Sequence, residues 1–192
     1  MKKFYNIEGL IQSGFKLSRD YETLDFTYAK FGDDAVQEMA KSRSIKQVRR
    51  LTINGKKLTA LSARALAESD KMPNLKSLRL AWNEIGPEGT RHLAESPYMG
   101  SLTSLALSEN QIGDEGLKYL AKAKSLSSLE IIDLRKNQIT DLGAEALSKS
   151  KCLPKLQTID LTDNSLTEKG MNALAEFKVF NLIRARLNED GT

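Results

Sequence analysis

The chain has 192 residues, of which 40% are hydrophobic, so it can form one globular domain or one short repeat array. Its 29 basic residues are nearly balanced by 25 acidic residues, and the net charge of +4 does not by itself indicate a nucleic-acid partner. The single cysteine, Cys152, excludes an internal disulfide and favours a reducing compartment.

The N-terminal residues do not form a secretory signal peptide, because Glu8 and two glycines interrupt the apolar run that such a signal needs. No stretch approaches the roughly 18 apolar residues of a membrane-spanning helix. We therefore expect a cytoplasmic protein without a membrane partner, while bacterial export without a signal peptide stays open. Residues 1–20 carry apolar residues at helical spacing, which predicts a cap helix over the open end of the first repeat.

Residues 21–182 repeat one pattern six times with a period of 27 residues. Leucine or isoleucine recurs at positions 1, 4 and 6, asparagine at position 9, an aliphatic residue at position 11 and glycine at position 15, most clearly in units 3 to 6. Units 1 and 2 keep the apolar columns but lack the asparagine, as is typical of capping repeats. The units begin at Tyr21, Val48, Leu75, Leu102, Leu129 and Leu156.

Each unit combines two kinds of local pattern. Positions 3 to 7 alternate, which predicts a short parallel strand, and positions 13 to 22 carry apolar residues at helical spacing. Glycine at position 15 predicts a close approach between neighbouring helix backbones. Asparagine at position 9 can donate to and accept from the backbone of the turn after the strand, which predicts a buried ladder. Its members are Asn83, Asn110, Asn137 and Asn164.

Residues 183–192 are predicted to form a closing strand and a short polar tail, since residues 182–188 alternate apolar and polar side chains. Positions 3, 5 and 7 of this strand would then be Arg184, Arg186 and Asn188. Three apolar residues at the end of unit 6 are predicted to pack under the strand: Phe177, Val179 and Phe180. We expect a monomer; the alternative is a dimer through this C-terminal end, because the last strand of an open sheet leaves backbone groups unpaired.

The period, the full helix in each unit and the phrase NQIGDEGLKYLA at residues 110–121 resemble the ribonuclease-inhibitor-like class of leucine-rich-repeat proteins. The resemblance covers about residues 21–188. It implies an α/β fold: a right-handed solenoid, or horseshoe segment, with a parallel β-sheet on the concave face and α-helices on the convex face. Members of this family mostly bind other proteins, so the resemblance implies a protein partner without identifying it.

The sequence predicts no catalytic residues, no cofactor and no metal site. His92 and Cys152 are the single histidine and the single cysteine, and they lie two repeats apart, too far to form a catalytic dyad. The glycines belong to the repeat and do not form a G-x-x-x-x-G-K-[ST] phosphate-binding loop. We therefore predict that the protein is not an enzyme.

The outward strand positions vary between units while the core positions repeat, which is how solenoids present a binding surface. The sequence predicts a basic patch of Arg49, Arg50, Lys76 and Arg79. It predicts an acidic patch of Asp133, Asp160 and Asp163. This bipolar face favours a charged protein partner over a nucleic acid.

Two aromatic residues at position 8, Tyr28 and Trp82, flank Gly55, which predicts a notch of about 10 Å between them. Trp82 would either contact the partner or shield the turn at Asn83. The predicted partner-binding residues are Tyr28, Arg50, Asn54, Arg79, Trp82, Asp133, Arg135 and Asp160.

The sequence therefore predicts a non-enzymatic module that binds a protein through its concave face. Two alternatives use the same face: a regulatory protein that resembles leucine-rich-repeat GTPase activators, and a secreted bacterial effector. Stimulated GTP hydrolysis would support the first alternative, and genomic neighbourhood would test the second.

Overall fold

A computed structural model describes residues 6–16 and 20–175 and the backbone of residues 183–184. Seven short strands form one parallel sheet in chain order. The strands are β1 Thr23–Asp25, β2 Arg50–Thr52, β3 Ser77–Arg79, β4 Ser104–Ala106, β5 Ile131–Asp133, β6 Thr158–Asp160 and β7 Ile183–Arg184.

Helices alternate with the strands along the chain. They are α1 Ile7–Lys16, α2 Asp33–Met39, α3 Ala60–Ala67, α4 Gly86–Glu95, α5 Gly113–Ala121, α6 Asp141–Ser148 and α7 Glu168–Ala175, with 3₁₀-helices at Arg43–Ile45 and Lys124–Leu126. None of the helices in the described part of the chain has both the length and the apolar run that crossing a lipid bilayer requires.

The strand register follows the 27-residue period from β1 to β6. Leu51 of β2 lies opposite Leu24 of β1 on one side and Leu78 of β3 on the other. These position-4 side chains are fully buried, while both neighbours in each strand are more accessible. Positions 3, 5 and 7 therefore line the concave face, and positions 4 and 6 face the core under the helices.

The last strand departs from this register. Ile183 pairs with Ile159 and Arg184 with Asp160, so β7 follows β6 after 24 residues instead of 27. Arg184 therefore occupies the position-5 column, and the prediction that placed it in the position-3 column was wrong. Arg186 and Asn188, and the apolar group Phe177, Val179 and Phe180, lie outside the described residues.

The first helix packs against the start of the sheet. Ile11 and Phe15 of α1 are buried in the same core as the strands. A Cβ atom added at Gly14 would lie 2.8 Å from the Phe26 ring, which shows how closely the helix approaches β1. The helix therefore covers apolar side chains that unit 1 would otherwise expose.

Helices of neighbouring units approach each other most closely at position 15. A Cβ added at Gly89 in α4 would lie 2.6 Å from Ile85 Cγ2 and 3.1 Å from the Cα of Ala60 in α3. In the same way, a Cβ at Gly143 would lie 2.6 Å from the Asp114 carboxylate. The glycines are thus placed where a larger side chain would push neighbouring units apart.

The asparagines at position 9 connect one unit to the next. The Asn137 oxygen accepts from the backbone N–H groups of Asn110 and Ile112 at 2.9 and 3.3 Å. Its amide group donates to the carbonyls of Leu107 and Arg135 at 2.9 and 3.1 Å. Asn137 is fully buried, so these bonds satisfy backbone groups that water cannot reach.

The helix starts of units 2 to 5 come in two forms that depend on position 12. Gly86 and Gly113 have φ angles of +62° and +61°, a conformation that suits glycine. Thr59 and Thr140 have extended φ angles of −107° and −110°, and their hydroxyls cap the following helices. In these units the turn geometry follows the residue at position 12, whereas Gly32 at position 12 of unit 1 has an extended φ of −131°.

Each threonine start has an aspartate partner in the preceding unit. The Asp114 carboxylate accepts from the Thr140 N–H and hydroxyl, both at 2.7 Å, and Asp141 does the same for Thr167 at 2.9 and 2.6 Å. Asp33 and Thr59 form the same clamp. Sequence analysis missed this pairing, although the recurrence of Asp at position 13 with Thr 26 residues later was visible.

Candidate functional site

The concave face holds a depression over strands β3 to β5, which we call the trough. Its volume is about 330 Å³. The floor is formed by Ser104, Ala106 and Ser108, the position-3, position-5 and position-7 residues of unit 4. These small side chains lie between larger side chains of units 3 and 5, so the trough follows directly from the size difference between neighbouring units.

Two exposed apolar side chains stand on opposite sides of the trough. Trp82 from unit 3 is 56% exposed, and Ile131 from unit 5 is 48% exposed. Both are large apolar side chains, and about half of the surface of each remains exposed to solvent. Exposed aromatic and aliphatic side chains around a concave site are typical of protein-binding surfaces.

Trp82 has a left-handed backbone conformation, and its side chain lies near the Glu109 carboxylate. Its φ angle of +55° is left-handed, as is that of the position-8 residue in the neighbouring units, Gly55 and Glu109. The Glu109 carboxylate accepts from Lys136 at 3.0 Å, and this bond, with a smaller contribution from the neighbouring Trp82 side chain, lowers the pKa of Glu109 below its ordinary value. The Trp82 side chain thus lies beside a carboxylate that is itself held by Lys136.

The predicted acidic patch is largely neutralised within the face. Arg135 forms an ion pair with Asp133 at 2.8 Å and lies 3.7 Å from Asp160. The pKa of Arg135 is raised, mainly by its hydrogen bonds to Asp133. The three predicted aspartates thus differ: Asp133 and Asp160 have Arg135 as a counter-charge, whereas Asp163 has no ion pair within residues 20–175.

The predicted basic patch is also partly neutralised. Arg49 pairs with Glu22 at 3.3 Å, and Arg50 pairs with Asp20 at 2.6 Å and also donates to Thr23. Lys76 and Arg79 form no ion pair with any other described residue. The positive charge that remains available on this face is thus concentrated on β3 and the residue before it.

The trough gathers five of the eight predicted partner-binding residues. They are Asn54, Arg79, Trp82, Asp133 and Arg135. Arg50, Tyr28 and Asp160 do not line it, although Asp160 contacts Arg135. The expected notch between Tyr28 and Trp82 is open space above Gly55, and the depression lies on the other side of Trp82. The small residues of unit 4 were the signal that sequence analysis missed.

A larger depression of about 510 Å³ lies on the convex side between α2 and α3. Its charged side chains all have ion-pair partners: Arg64 pairs with Glu68 at 2.8 Å, Lys71 with Asp70 at 2.5 Å and Lys41 with Glu38 at 2.7 Å. Because these charges are already compensated, the smaller trough is the better candidate for a binding site. His92 in α4 and Cys152 after α6 are separated by α5, and they line neither depression.

Comparisons with known proteins are consistent with the repeat pattern. A family model described as leucine-rich repeats in two copies matches residues 127–170, and one described as a leucine-rich repeat matches residues 71–94 and 101–121. None of the curated proteins compared with the chain matches it significantly. The ribonuclease-inhibitor-like subclass stays a prediction.

Among solved structures, the chain is similar to an internalin (inlF) from Listeria monocytogenes, with 21% identity and a TM-score of 0.49. The similarity covers 76% of this chain but only 37% of the internalin. The in-order parallel sheet, the alternating helices and the family matches over units 3 to 6 together show that the protein has the fold of an α/β leucine-rich-repeat solenoid.

Proposed function

We propose that the protein is a non-enzymatic module that binds another protein through the concave surface of units 3 to 5. Leucine-rich-repeat proteins generally mediate protein–protein interactions. The observation that carries the proposal here is the trough, with Trp82 and Ile131 exposed on its two sides and Arg79 beside Trp82. Tryptophan and arginine are the residues most enriched among those that dominate binding energies at protein interfaces.

The charges around the trough support a protein partner over a nucleic acid. Glu109 lies on the rim and Asp133 in the wall, so a phosphate backbone along this face would meet carboxylates next to each cation. The mixture of apolar, cationic and anionic groups instead has the composition of a protein interface, with an apolar centre and a polar rim.

A photo-crosslinking experiment tests the proposal. A photoreactive amino acid at Ser104, on the trough floor, should capture a discrete protein from extracts of the source cells. The matched control places the same amino acid at Leu142, which is 61% exposed on α6. Capture at Leu142 alone would refute concave binding, and a product formed by the purified protein without extract would show self-association instead.

The variant Trp82→Ala distinguishes a contact residue from a structural one. Because the indole is more than half exposed, the substitution should lower the free energy of unfolding by no more than about 1 kcal/mol while strongly reducing capture at Ser104. Thermal melting measured in parallel checks the first part. A fall in melting temperature beyond about 8 °C would assign Trp82 to the fold, where it shields the turn at Asn83.

A further inference from the structure

We infer that the trough binds a short extended segment of a partner protein in which an apolar side chain stands next to a carboxylate. The inference rests on the proposed function and specifies the chemistry of its partner. It is drawn from the width of the trough, from its two apolar sides and from the one cation in its lining that lacks a counter-charge.

The width of the trough favours an extended segment. Its sides belong to β3 and β5, which are two strand spacings apart, or about 10 Å between backbones. Side chains such as Trp82 and Ile131 narrow this opening further. A helix with side chains is about 10–12 Å in diameter and would not reach the floor, whereas an extended chain can lay one side chain on Ala106.

The apolar sides of the trough match an apolar side chain of the partner. Trp82 lies at position 8 of unit 3 and Ile131 at position 3 of unit 5, so a leucine, isoleucine or phenylalanine seated beside either of them would cover part of its exposed surface. A tryptophan side chain has only two rotatable bonds, so little conformational freedom would be lost when the partner side chain packs against Trp82.

The charges in the lining select a carboxylate beside that apolar side chain. Arg135 is occupied by Asp133 and Asp160, whereas Arg79 forms no ion pair within the described part of the chain. An arginine beside an apolar pocket can form charge-assisted, two-pronged hydrogen bonds to a carboxylate. A basic segment would instead meet the unpaired charges of Arg79 and Lys76.

Selection from a phage-displayed library of random dodecapeptides tests this inference. The wild-type protein should enrich peptides in which Asp or Glu is adjacent to Leu, Ile or Phe. Trp82 is the single tryptophan of the chain, so its fluorescence reports directly whether a synthetic copy of a selected peptide enters the trough. Replacing the carboxylate of that peptide by the amide should weaken binding by about tenfold or more.

Arginine variants provide the matched controls. Arg79→Gln should weaken binding of the selected peptides to the same extent, and Arg79→Glu should enrich Lys or Arg in the carboxylate position. Arg91→Gln changes an arginine of α4 on the convex side that is already paired with Glu88 and Glu95, and it should leave the affinity unchanged. Equal binding by wild type and Arg79→Gln, enrichment of peptides without carboxylates, or no enrichment would overturn the inference.

The crosslinking experiment separates this inference from the proposed function. If the photoreactive group at Ser104 captures a protein while the selected peptides lack the acidic and apolar pair, the inference fails and concave binding stands. If neither experiment gives a result that depends on Trp82, both fail.

Discussion

A single asparagine side chain joins three segments of backbone in this solenoid. In Asn110 the side-chain oxygen accepts from the N–H of Ile85, and the amide group donates to the carbonyls of Leu80 and Leu107. A carboxamide is the smallest side chain that can donate and accept in this way. The sequence predicts this role because the chemistry of the residue and its period both point to a buried turn.

Removing one asparagine from the middle of the ladder should destabilise the protein markedly. Asn137→Ala leaves the N–H groups of Asn110 and Ile112 without their acceptor, and we expect a loss of about 2–3 kcal/mol in the free energy of unfolding. Urea denaturation measures it. Asn74→Ala, at an exposed position between units, is the control and should change stability by less than about 0.5 kcal/mol. Equal effects of the two substitutions would contradict the buried role.

The contacts of the binding face were much less predictable from the sequence. Arg50 was expected to be available to a partner, but it pairs with Asp20, which lies outside the repeat columns. Arg135 binds Asp133 two residues earlier in the chain. Such pairings depend on which long side chains can reach one another across a curved sheet, and the period contains no information about that.

At the scale of helices, the contacts between neighbouring units include an aspartate–threonine clamp at the helix start and close packing at the glycine of position 15. The clamps lie between units 1 and 2, 4 and 5, and 5 and 6. The two intervening junctions have Gly86 or Gly113 at position 12 in place of the threonine, and each of these glycines donates its N–H to the asparagine carbonyl of the unit that follows it. The helical halves were thus predictable, but the clamps between them were not.

The clamp between α6 and α7 should make stability depend on pH. The hydrogen bonds from Thr167 lower the pKa of Asp141 below its ordinary value of 3.8. The unfolded chain therefore binds the proton first, so the contribution of Asp141 is complete at neutral pH and is lost as the pH falls through 3.8 towards the folded-state pKa.

Asp141→Asn tests this dependence. The variant should be less stable than wild type at pH 7, and the difference should shrink as the pH is lowered below about 4. Thr167→Val removes the hydroxyl donor and should show part of the same effect. Denaturant unfolding at a series of pH values gives the comparison; a difference that is constant with pH would show that the carboxylate charge does not take part in the clamp.

The close contact at Gly89 predicts that replacing this glycine by alanine changes stability in the direction opposite to that expected from helix propensity. Alanine is favoured over glycine within a helix by about 1 kcal/mol, yet Gly89→Ala should destabilise the protein by about 1–2 kcal/mol, because the new Cβ meets Ile85 and the backbone of Ala60. Gly100→Ala is the control, since the nearest atom to its Cβ is Ser125 O at 3.7 Å. Chemical denaturation of both variants checks the prediction, and a stabilised Gly89→Ala protein would refute it.

Across the whole molecule, the period accounts for six strands and their register, because each unit buries its apolar side chains only against its neighbours. It fails at β7, where the spacing drops to 24 residues. The trough was missed because it arises from the contrast between three adjacent units, whereas a repeat alignment emphasises what the units have in common.

A molecule built from nearest-neighbour contacts should respond locally to substitutions. Asn83 and Asn164 lie three units apart and share no hydrogen-bonding group, so the effects of Asn83→Ala and Asn164→Ala should add to within about 0.5 kcal/mol. Asn110 and Asn137 both donate to the carbonyl of Leu107, at 3.1 and 2.9 Å. In either single variant the Leu107 carbonyl keeps one of its two asparagine donors, and in the double variant it loses both.

The double variant Asn110→Ala/Asn137→Ala should therefore lose more stability than the sum of the two single variants, by at least about 0.5 kcal/mol. Urea unfolding of both pairs, each as a complete double-mutant cycle, measures the coupling. Additivity in both pairs would mean that the shared carbonyl finds another donor once the ladder is broken. Strong coupling between Asn83 and Asn164 would be the more serious contradiction, because it would require energy to pass through units 4 and 5, which the nearest-neighbour architecture does not provide.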